Sequence, residues 1–297
     1  MSAFDVQTRT LISRAQLNRP LARRIYWVLL VLTIVAFTLV FLFPLYWLFS
    51  SGLKSASEVL QSPPTLVPHT WSFHNYSTAW SDFNLGRFIF NTTYYAVGAL
   101  VLQLVFDVAA AYALSKLRPV LGNVVLGMML ATLMIPATVL VIPNYLTAIN
   151  VPVLHLSLVN SPVAIWMPAV ANGFNIFLLK RFFDSIPEEL LAAAAIDGAG
   201  PLRALWSIVL PMSRPILGVV SIFGTVAVWK DVLWPLLVLT DPTKSTVNTG
   251  LLNLTGDGIP ENILMASLAI AALPTIVFFL VFQRSIMSGL TAGSIKG

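Results

Sequence analysis

The chain has 297 residues, of which 57% are hydrophobic and only 10% are charged, and its formal net charge is +5. Charged residues make up about a quarter of a typical soluble domain, so this composition excludes an ordinary soluble protein and predicts an all-α polytopic membrane protein. The basic balance does not indicate a nucleic-acid partner, because arginines beside apolar stretches usually orient membrane spans. The absence of cysteine excludes a disulfide framework and a thiolate metal site.

Six apolar stretches are long enough to cross a membrane as helices, since about twenty residues rising about 1.5 Å each span a hydrocarbon core of about 30 Å. The predicted spans are residues 25–49, 88–114, 120–146, 158–179, 208–239 and 263–282. They predict a transmembrane domain over 25–285, preceded by a polar segment 1–24 and followed by a tail 286–297. The first stretch is too long for a signal-peptide core and is expected to remain as an anchor.

Basic residues fall mainly on one side of this arrangement. The polar N-terminal segment contains Arg9, Arg14, Arg19, Arg23 and Arg24. The residues predicted on the same side are Lys116, Arg118, Lys180, Arg181, Arg203, Arg214, Arg284 and Lys296. The opposite side receives only Lys54, Arg87 and Lys244. The positive-inside rule therefore predicts that both termini and the connection between the fourth and fifth spans are cytoplasmic.

The connection between the fourth and fifth spans has its own helix signals. Ser185 and Glu188 have the spacing of a capping box, which predicts a helix that begins at Ser185. Gly198 predicts a left-handed residue at the end of that helix, and Pro201 suits the first position of a second short helix. On periodicity alone, this segment could equally be a helix that lies in the lipid headgroups or a folded loop with a function of its own.

The stretch IPEELLAAAAIDGAGPLRALWSIVLP, residues 186–211, resembles the "EAA" loop of ABC-importer permeases. The matching positions are Ala193, Ala194, Gly198, Ile208, Leu210 and Pro211. Ala192 stands where the family usually has glutamate, and Glu189, one turn earlier, is the candidate replacement. The resemblance implies that the loop 184–207 contains a cytoplasmic coupling helix that contacts an ATPase. The residues implied in this coupling are Glu188, Glu189, Ala192, Ala193, Ala194, Asp197, Gly198 and Pro211.

Three further stretches narrow the resemblance to carbohydrate-uptake permeases of the maltose type. They are AAYALSKLRP at 110–119, WKDVLWPLL at 229–237 and GLTAGSIKG at 289–297, of which the last is similar to the ending of the G-type subunit. Lys230 stands where asparagine is common in the second pattern. The resemblance implies a non-catalytic permease subunit of a bacterial inner membrane that translocates a di- or oligosaccharide or related polyol by alternating access.

The energy source for such uptake is expected on another polypeptide. No lysine of this chain follows a glycine, so a GxxxxGK[ST] phosphate loop is absent. The resemblance implies a heterodimer with a second permease subunit, two ATPase subunits that bind ATP and magnesium, and an extracytoplasmic solute-binding protein. No catalytic residue, metal ligand or cofactor site is expected in this chain. The alternatives are an ion-coupled secondary transporter and an intramembrane hydrolase.

Ionisable and aromatic side chains within the predicted spans are candidates for the substrate path. Asp107, Lys230 and Asp231 would be costly at membrane depth unless they face a cavity or a partner. Trp229 and Trp234 could stack on a sugar ring, although tryptophan also packs helices and anchors them at interfaces. An equal alternative is an interhelical pair of Lys230 with Asp231 or Asp107. Three amides could either line a polar path or join helices: Asn91, Asn172 and Asn175.

Overall fold

The computed structural model describes residues 20–256 and 258–292, with side chains described as far as Gln283. Every regular element in these residues is helical. The helices are α1 Pro20–Ser51, α2 Ala56–Val59, α3 His74–Ser81, α4 Leu85–Tyr112, α5 Gly122–Thr132, α6 Val141–Ile149, α7 Pro162–Ala169, α8 Gly173–Asp184, α9 Glu188–Ile196, α10 Pro201–Ala204, α11 Arg214–Lys230, α12 Leu233–Val238, α13 Val247–Gly256 and α14 Glu261–Ala292. A π-helical turn, Ala113–Leu117, extends α4, and another, Leu205–Val209, leads from α10 to the turn Leu210–Met212.

The described residues contain up to six membrane spans. Three single helices are long and apolar enough to cross a membrane, namely α1, α4 with its π turn, and α14. Three bent helix pairs pass the same test together: α5 with the 137–149 segment at 95°, α7 with α8 at 49°, and the 201–212 segment with α11 at 82°. The prediction of an all-α protein with about six spans is confirmed when each bent pair is counted as one span.

The predicted continuous third span, 120–146, is wrong because the helix is broken after Thr132. Pro136 lies four residues later, and its ring removes the N–H that would bond the carbonyl of Thr132 and clashes with that carbonyl. The fifth span, predicted as 208–239, is interrupted twice. It bends at Ser213, and α11 ends before Asp231, which lies four residues ahead of Pro235. Both proline breaks leave extended or turning backbone within apolar sequence.

The fourth span, predicted as 158–179, begins at Pro162, ends at Asp184 and is bent. Asn172 has an extended backbone, and its side chain accepts the N–H of Asn175 at 3.1 Å. This local hydrogen bond starts a new helix and competes with continuation of α7. The break therefore follows from capping chemistry that a hydropathy window does not detect.

The outer spans are longer than predicted. The first helix already includes Pro20, five residues before the predicted start at residue 25, and α14 continues past residue 282 to Ala292. The predicted N-terminal segment 1–24 and tail 286–297 are therefore partly helical. Residues 1–19 and 293–297, which include Arg9, Arg14, Arg19 and Lys296, lie outside the described residues.

The core closest to the 184–207 loop lies among α4, α8 and α11. Phe183 and Val220 are fully buried there, and they pack with Val108 and Ile176. The π turn after α10 contributes the buried residue Val209 to the same cluster. The segment that leads from the loop into the fifth span is thus packed into the bundle at its base.

Candidate functional site

The short helix α9 begins at Glu188, and the predicted capping box at Ser185 is wrong. Ser185 is the C-cap that follows α8, and its hydroxyl donates a hydrogen bond to the carbonyl of Phe182 at 2.6 Å. Pro187 disfavours helical backbone at the residue before it, so the helix cannot include Ile186. Glu188 and Glu189 still occupy the first turn, where their charges suit the helix dipole.

The end of α9 has the predicted left-handed glycine. Gly198 has a φ of +79°, its N–H donates to the carbonyl of Ala195 at 3.0 Å, and the N–H of Ala199 donates to the carbonyl of Ala194 at 2.8 Å. These two bonds are the pair that defines a Schellman motif. Pro201 then begins α10, also as predicted. The angle between the two short helices is therefore set by a hydrogen-bonded turn.

The loop exposes several large apolar side chains. No residue of α9 is buried, and the four alanines at 192–195 add little bulk to it. The large apolar side chains most exposed here are Ile196 at 87%, Leu202 at 72% and Trp206 at 71%. Large apolar side chains exposed on one short loop are typical of a surface that binds another protein or a membrane. The carboxylates of Glu189 and Asp197 are exposed beside them.

The end of α4 holds the entrance of the loop. Ser115 Oγ donates to Asp184 Oδ1 at 2.7 Å, and Lys116 Nζ donates to the carbonyl of Ile186 at 2.9 Å. Asp184 also pairs with Lys180 at 2.8 Å. These bonds fix the chain at Asp184 and Ile186, just before Pro187. The stretch 110–119 resembles a family pattern, but the sequence predicted no role for its side chains.

Two further contacts join the same end of α4 to α9 and α10. Arg118 forms an ion pair with Glu188, the first residue of α9. Tyr112 donates its hydroxyl to the carbonyl of Pro201, the first residue of α10, at 2.9 Å. The loop is thus held at its entrance and at its exit by one helix end. We call the residues Tyr112, Ser115, Lys116 and Arg118 the α4 clamp.

Pro211 lies in the turn Leu210–Met212, directly before the 82° bend at Ser213. Its side chain is exposed, whereas Ser213 is fully buried. Pro215 lacks the N–H that would bond the carbonyl of Pro211, so the chain turns here instead of continuing as one helix. The bend connects the exit of the loop to α11.

A cavity of about 830 Å³ lies beside one break in each of the three interrupted spans. Its lining includes Leu133, Asn172 and Asp231, which lie at these breaks, whereas the bend at Ser213 lies outside it. Irregular backbone at membrane depth is tolerated where it is buried in protein or lines a cavity. The polar side chains that line it are Gln103, Thr138, Asn144, Asn172, Asn175, Lys230 and Asp231. Most of the remaining lining is apolar, including Phe174, Phe223 and Trp234.

The predicted substrate-path residues divide between two cavities. Lys230, Asp231 and Trp234 line the first cavity. Trp229 lines a second cavity, of about 650 Å³, between α4, α11, α13 and α14, and Lys230 lines that one too. Asp107 lines neither. The indole N–H of Trp234 donates to the carbonyl of Ala164 at 2.9 Å, which fixes the ring against α7.

Asp107 joins helices instead of contacting a cavity. It is fully buried, and its Oδ1 accepts the backbone N–H of Asn172 at 3.0 Å, which ties α4 to the start of α8. The alternative of an ion pair between Lys230 and Asp107 or Asp231 is wrong, because no such pair lies within 4.0 Å in the described part of the chain. Asp231 Oδ1 accepts the N–H of Trp234 at 3.4 Å, at the start of α12.

The three amides considered from the sequence have different positions. Asn172 and Asn175 line the first cavity, and Asn172 also caps α8. Asn91 donates to the carbonyls of Thr243 and Ser245, at 3.0 Å each, so it joins α4 to the 241–246 loop. Gln103 and Asn144, which line the cavity, were missed. Neither has a sequence signal other than a polar residue within an apolar stretch.

Broken spans around a cavity, together with an exposed helix at the base of the bundle, define a transport permease. The family model described as "Binding-protein-dependent transport system inner membrane component" matches residues 108–290, and the chain belongs to this family. It is therefore a non-catalytic, multi-pass inner-membrane permease subunit of a binding-protein-dependent ABC importer, as the EAA-like loop predicted. The family assignment leaves no support for the secondary transporter or the hydrolase.

Individual relatives agree with the family. The chain is 30% identical to a diacetylchitobiose uptake system permease of Streptomyces coelicolor, with 89% of this chain and 87% of that protein covered. It is 30% identical to an sn-glycerol-3-phosphate transport system permease of Rhizobium meliloti, with 92% and 97% covered. Among solved structures, a chain of a bacterial ABC transporter involved in the import of the acidic polysaccharide alginate is similar, with a TM-score of 0.78, 25% identity and coverage of 93% and 99%.

Proposed function

We propose that this permease pairs with a second, different permease subunit and stands on two ATPase subunits that bind ATP and magnesium. An extracytoplasmic solute-binding protein delivers the substrate. The observation that carries this proposal is the loop around α9, whose apolar face is exposed although its base is held by the α4 clamp and by the core. A surface that is exposed to a partner and rigidly anchored to the bundle suits the transmission of the partner's movement to the membrane spans.

In this proposal α9 acts as a coupling helix. Leu202 and Ile196 enter a groove of the ATPase, and the small side chains of the four alanines allow the two backbones to approach closely. When the ATPase subunits close on ATP, α9 moves with them as a rigid body. Closure favours one of two arrangements of the spans through contacts that differ between them, so the cavity opens alternately to each side.

The α4 clamp determines which helices move when the ATPase displaces the loop. Tyr112 and Arg118 connect the loop to α4, and the bend after Pro211 connects it to α11. Because α4 and α11 both contribute to the lining of the cavity, a displacement of the loop reaches the substrate path through two helices. Gly198 maintains the angle at which α9 meets α10.

We propose that the charged contact with the ATPase is made by a residue other than the glutamate that the family usually has at position 192. Ala192 has no charge, and Glu188 is already paired with Arg118. Glu189 and Asp197 are the exposed carboxylates that remain on the loop. We assign the contact with a basic ATPase residue to Glu189, since it lies in the first turn of α9 beside the missing position.

The proposed substrate is a di- or oligosaccharide or a related polyol. The cavity combines amides, which can exchange hydrogen bonds with hydroxyl groups, and aromatic residues, which can stack on sugar rings. The relatives named for diacetylchitobiose and sn-glycerol 3-phosphate support this class. Both termini are proposed to be cytoplasmic, with residues 25–285 as the transmembrane domain.

A pair of matched substitutions tests the docking surface. Leu202 is 72% exposed on the loop, and Leu60 is 71% exposed in the segment predicted on the other side of the membrane. We expect Leu202→Asp to abolish co-purification of the ATPase with the affinity-tagged permease, whereas Leu60→Asp retains it. Both variants should reach the membrane at normal levels, as measured by immunoblot. Equal ATPase recovery with both variants would contradict the proposed docking surface.

A further inference from the structure

Lys230 occupies an unusual position for a basic residue. It is the last residue of α11, at the break before Asp231, and its side chain is exposed. The helix rises about 1.5 Å per residue, so Lys230 lies about 24 Å along α11 from Arg214. It also lines both cavities, which places it between them. A cation at such depth is costly unless it faces a water-filled cavity or a partner, and the two cavities supply that space.

The two carboxylates considered as partners of Lys230 already have other contacts. Asp107 is fully buried, accepts the N–H of Asn172 and lines neither cavity. Asp231 lines the first cavity, but its Oδ1 accepts the N–H of Trp234. No other acidic residue lines either cavity, and Lys230 forms no ion pair in the described part of the chain. The first cavity therefore presents the ammonium group of Lys230, unpaired within 4.0 Å among the described residues, together with the carboxylate of Asp231, which is held by the start of α12.

We propose that Lys230 binds an anionic group of the transported saccharide or polyol: a carboxylate, a phosphate or a sulfonate. This inference rests on the proposed function and specifies its substrate class. The exposed amides of Asn144 and Asn172 bind hydroxyl groups of the same molecule, and Trp234 supplies an apolar surface. A neutral sugar would leave the ammonium group without an ionic partner.

The surroundings of Lys230 strengthen such a contact. Most of the cavity lining is apolar, and an interaction between charges is stronger there than in bulk water because the local dielectric is lower. Lysine presents a compact charge on a flexible stem with three donors. Because the side chain lines both cavities, it can keep contact with an anion that moves along α11. Asparagine, common at this position in the related pattern, could offer hydrogen bonds but no charge.

The test uses proteoliposomes that contain the complete importer, with both permease subunits, the ATPase and its cognate binding protein. Four radiolabelled probes are compared: sn-glycerol 3-phosphate and an alginate oligosaccharide, which are anionic, and diacetylchitobiose and maltotriose, which are neutral. We expect ATP-dependent uptake of at least one anionic probe by the wild type. Lys230→Gln and Lys230→Met should lower that uptake about tenfold or more, and Lys230→Arg should retain at least about a third of it.

Arg87→Gln is the matched control. Arg87 is exposed and lines neither cavity, so its loss lowers the positive charge without changing the path. Uptake is divided by the amount of assembled complex, which separates a binding defect from poor folding. Uptake of neutral probes alone, uptake of neither anionic probe, or equal uptake by Lys230→Gln and the wild type would overturn the proposal. ATP-dependent uptake of a neutral probe by the wild type would still agree with the proposed function as an importer. Failure of the ATPase to co-purify with the wild-type permease would instead overturn the proposed function.

Discussion

Replacing Gly198 by valine is expected to uncouple ATP hydrolysis from transport. The φ of +79° at Gly198 is favourable for glycine and costs other residues roughly 1–2 kcal/mol, more for a β-branched side chain. A Cβ atom at this position would meet no other atom within 4 Å, so the cost is conformational and involves no collision. Relief of this strain requires breaking the two Schellman hydrogen bonds and changing the direction of the chain toward Pro201.

The expected magnitude follows from this cost. A penalty of about 1.4 kcal/mol lowers the ratio of the native turn to altered turns about tenfold. Both sides of the turn are held, at Glu188 by Arg118 and at Pro201 by Tyr112, so an altered turn must displace α9. We expect normal membrane levels of Gly198→Val, with the ATPase bound about tenfold more weakly or with substrate uptake per ATP reduced severalfold.

Two variants serve as controls in the same assay of uptake and hydrolysis. Gly198→Asn should retain most of the coupling, because asparagine tolerates left-handed backbone better than valine does. Gly200→Ala should be neutral, since Gly200 has a φ of −70° and a Cβ atom there would also meet open space. Normal ATPase binding and normal uptake per ATP in Gly198→Val would show that the loop is only a connector.

Two further predictions concern the orientation of the loop and its attachment. Ser185→Cys, the only thiol in the resulting chain, should resist an impermeant thiol reagent in intact cells and react after permeabilisation; labelling from outside would place the loop externally. Tyr112→Phe removes the hydrogen bond to Pro201, worth about 0.5–1.5 kcal/mol, and should lower uptake per ATP by about twofold to fivefold while the complex still assembles. Unchanged uptake per ATP would show that the α4 clamp does not transmit the movement of the loop to the spans.

Features that depend on near neighbours in the chain were predicted from the sequence. Gly198 and Pro201 have conformational preferences of their own, and both have the expected roles in the turn. The capping box at Ser185 was wrong because Pro187 restricts the residue before it. The helix breaks before Pro136 and Pro235 also follow a local rule, because a proline prevents the helical hydrogen bond to the carbonyl four residues earlier. A hydropathy window averages over a proline, so the predicted spans joined the helices on either side of each break.

Features that depend on distant contacts could not be predicted. Tyr112 and Pro201 are 89 residues apart in the chain, and Asp107 is 65 residues from Asn172. A single sequence contains no signal that pairs them, so the α4 clamp was missed and Asp107 was considered a path residue. Lys230 was identified because a basic residue in an apolar stretch is unusual, whereas its position between two cavities depends on how the spans pack.

The most direct test of the coupling assignment asks what α9 contacts in the assembled importer. Ile196 is 87% exposed, and a cysteine there would be the only one in the chain, so it can carry a thiol-attached benzophenone. Illumination of the purified complex should link Ile196→Cys to the ATPase subunit, whereas the same label at Leu60→Cys should give no ATPase adduct. An Ile196→Cys label that reacts only with lipid, or with the ATPase no more often than the Leu60→Cys label does, would contradict the assignment of α9 as the coupling helix.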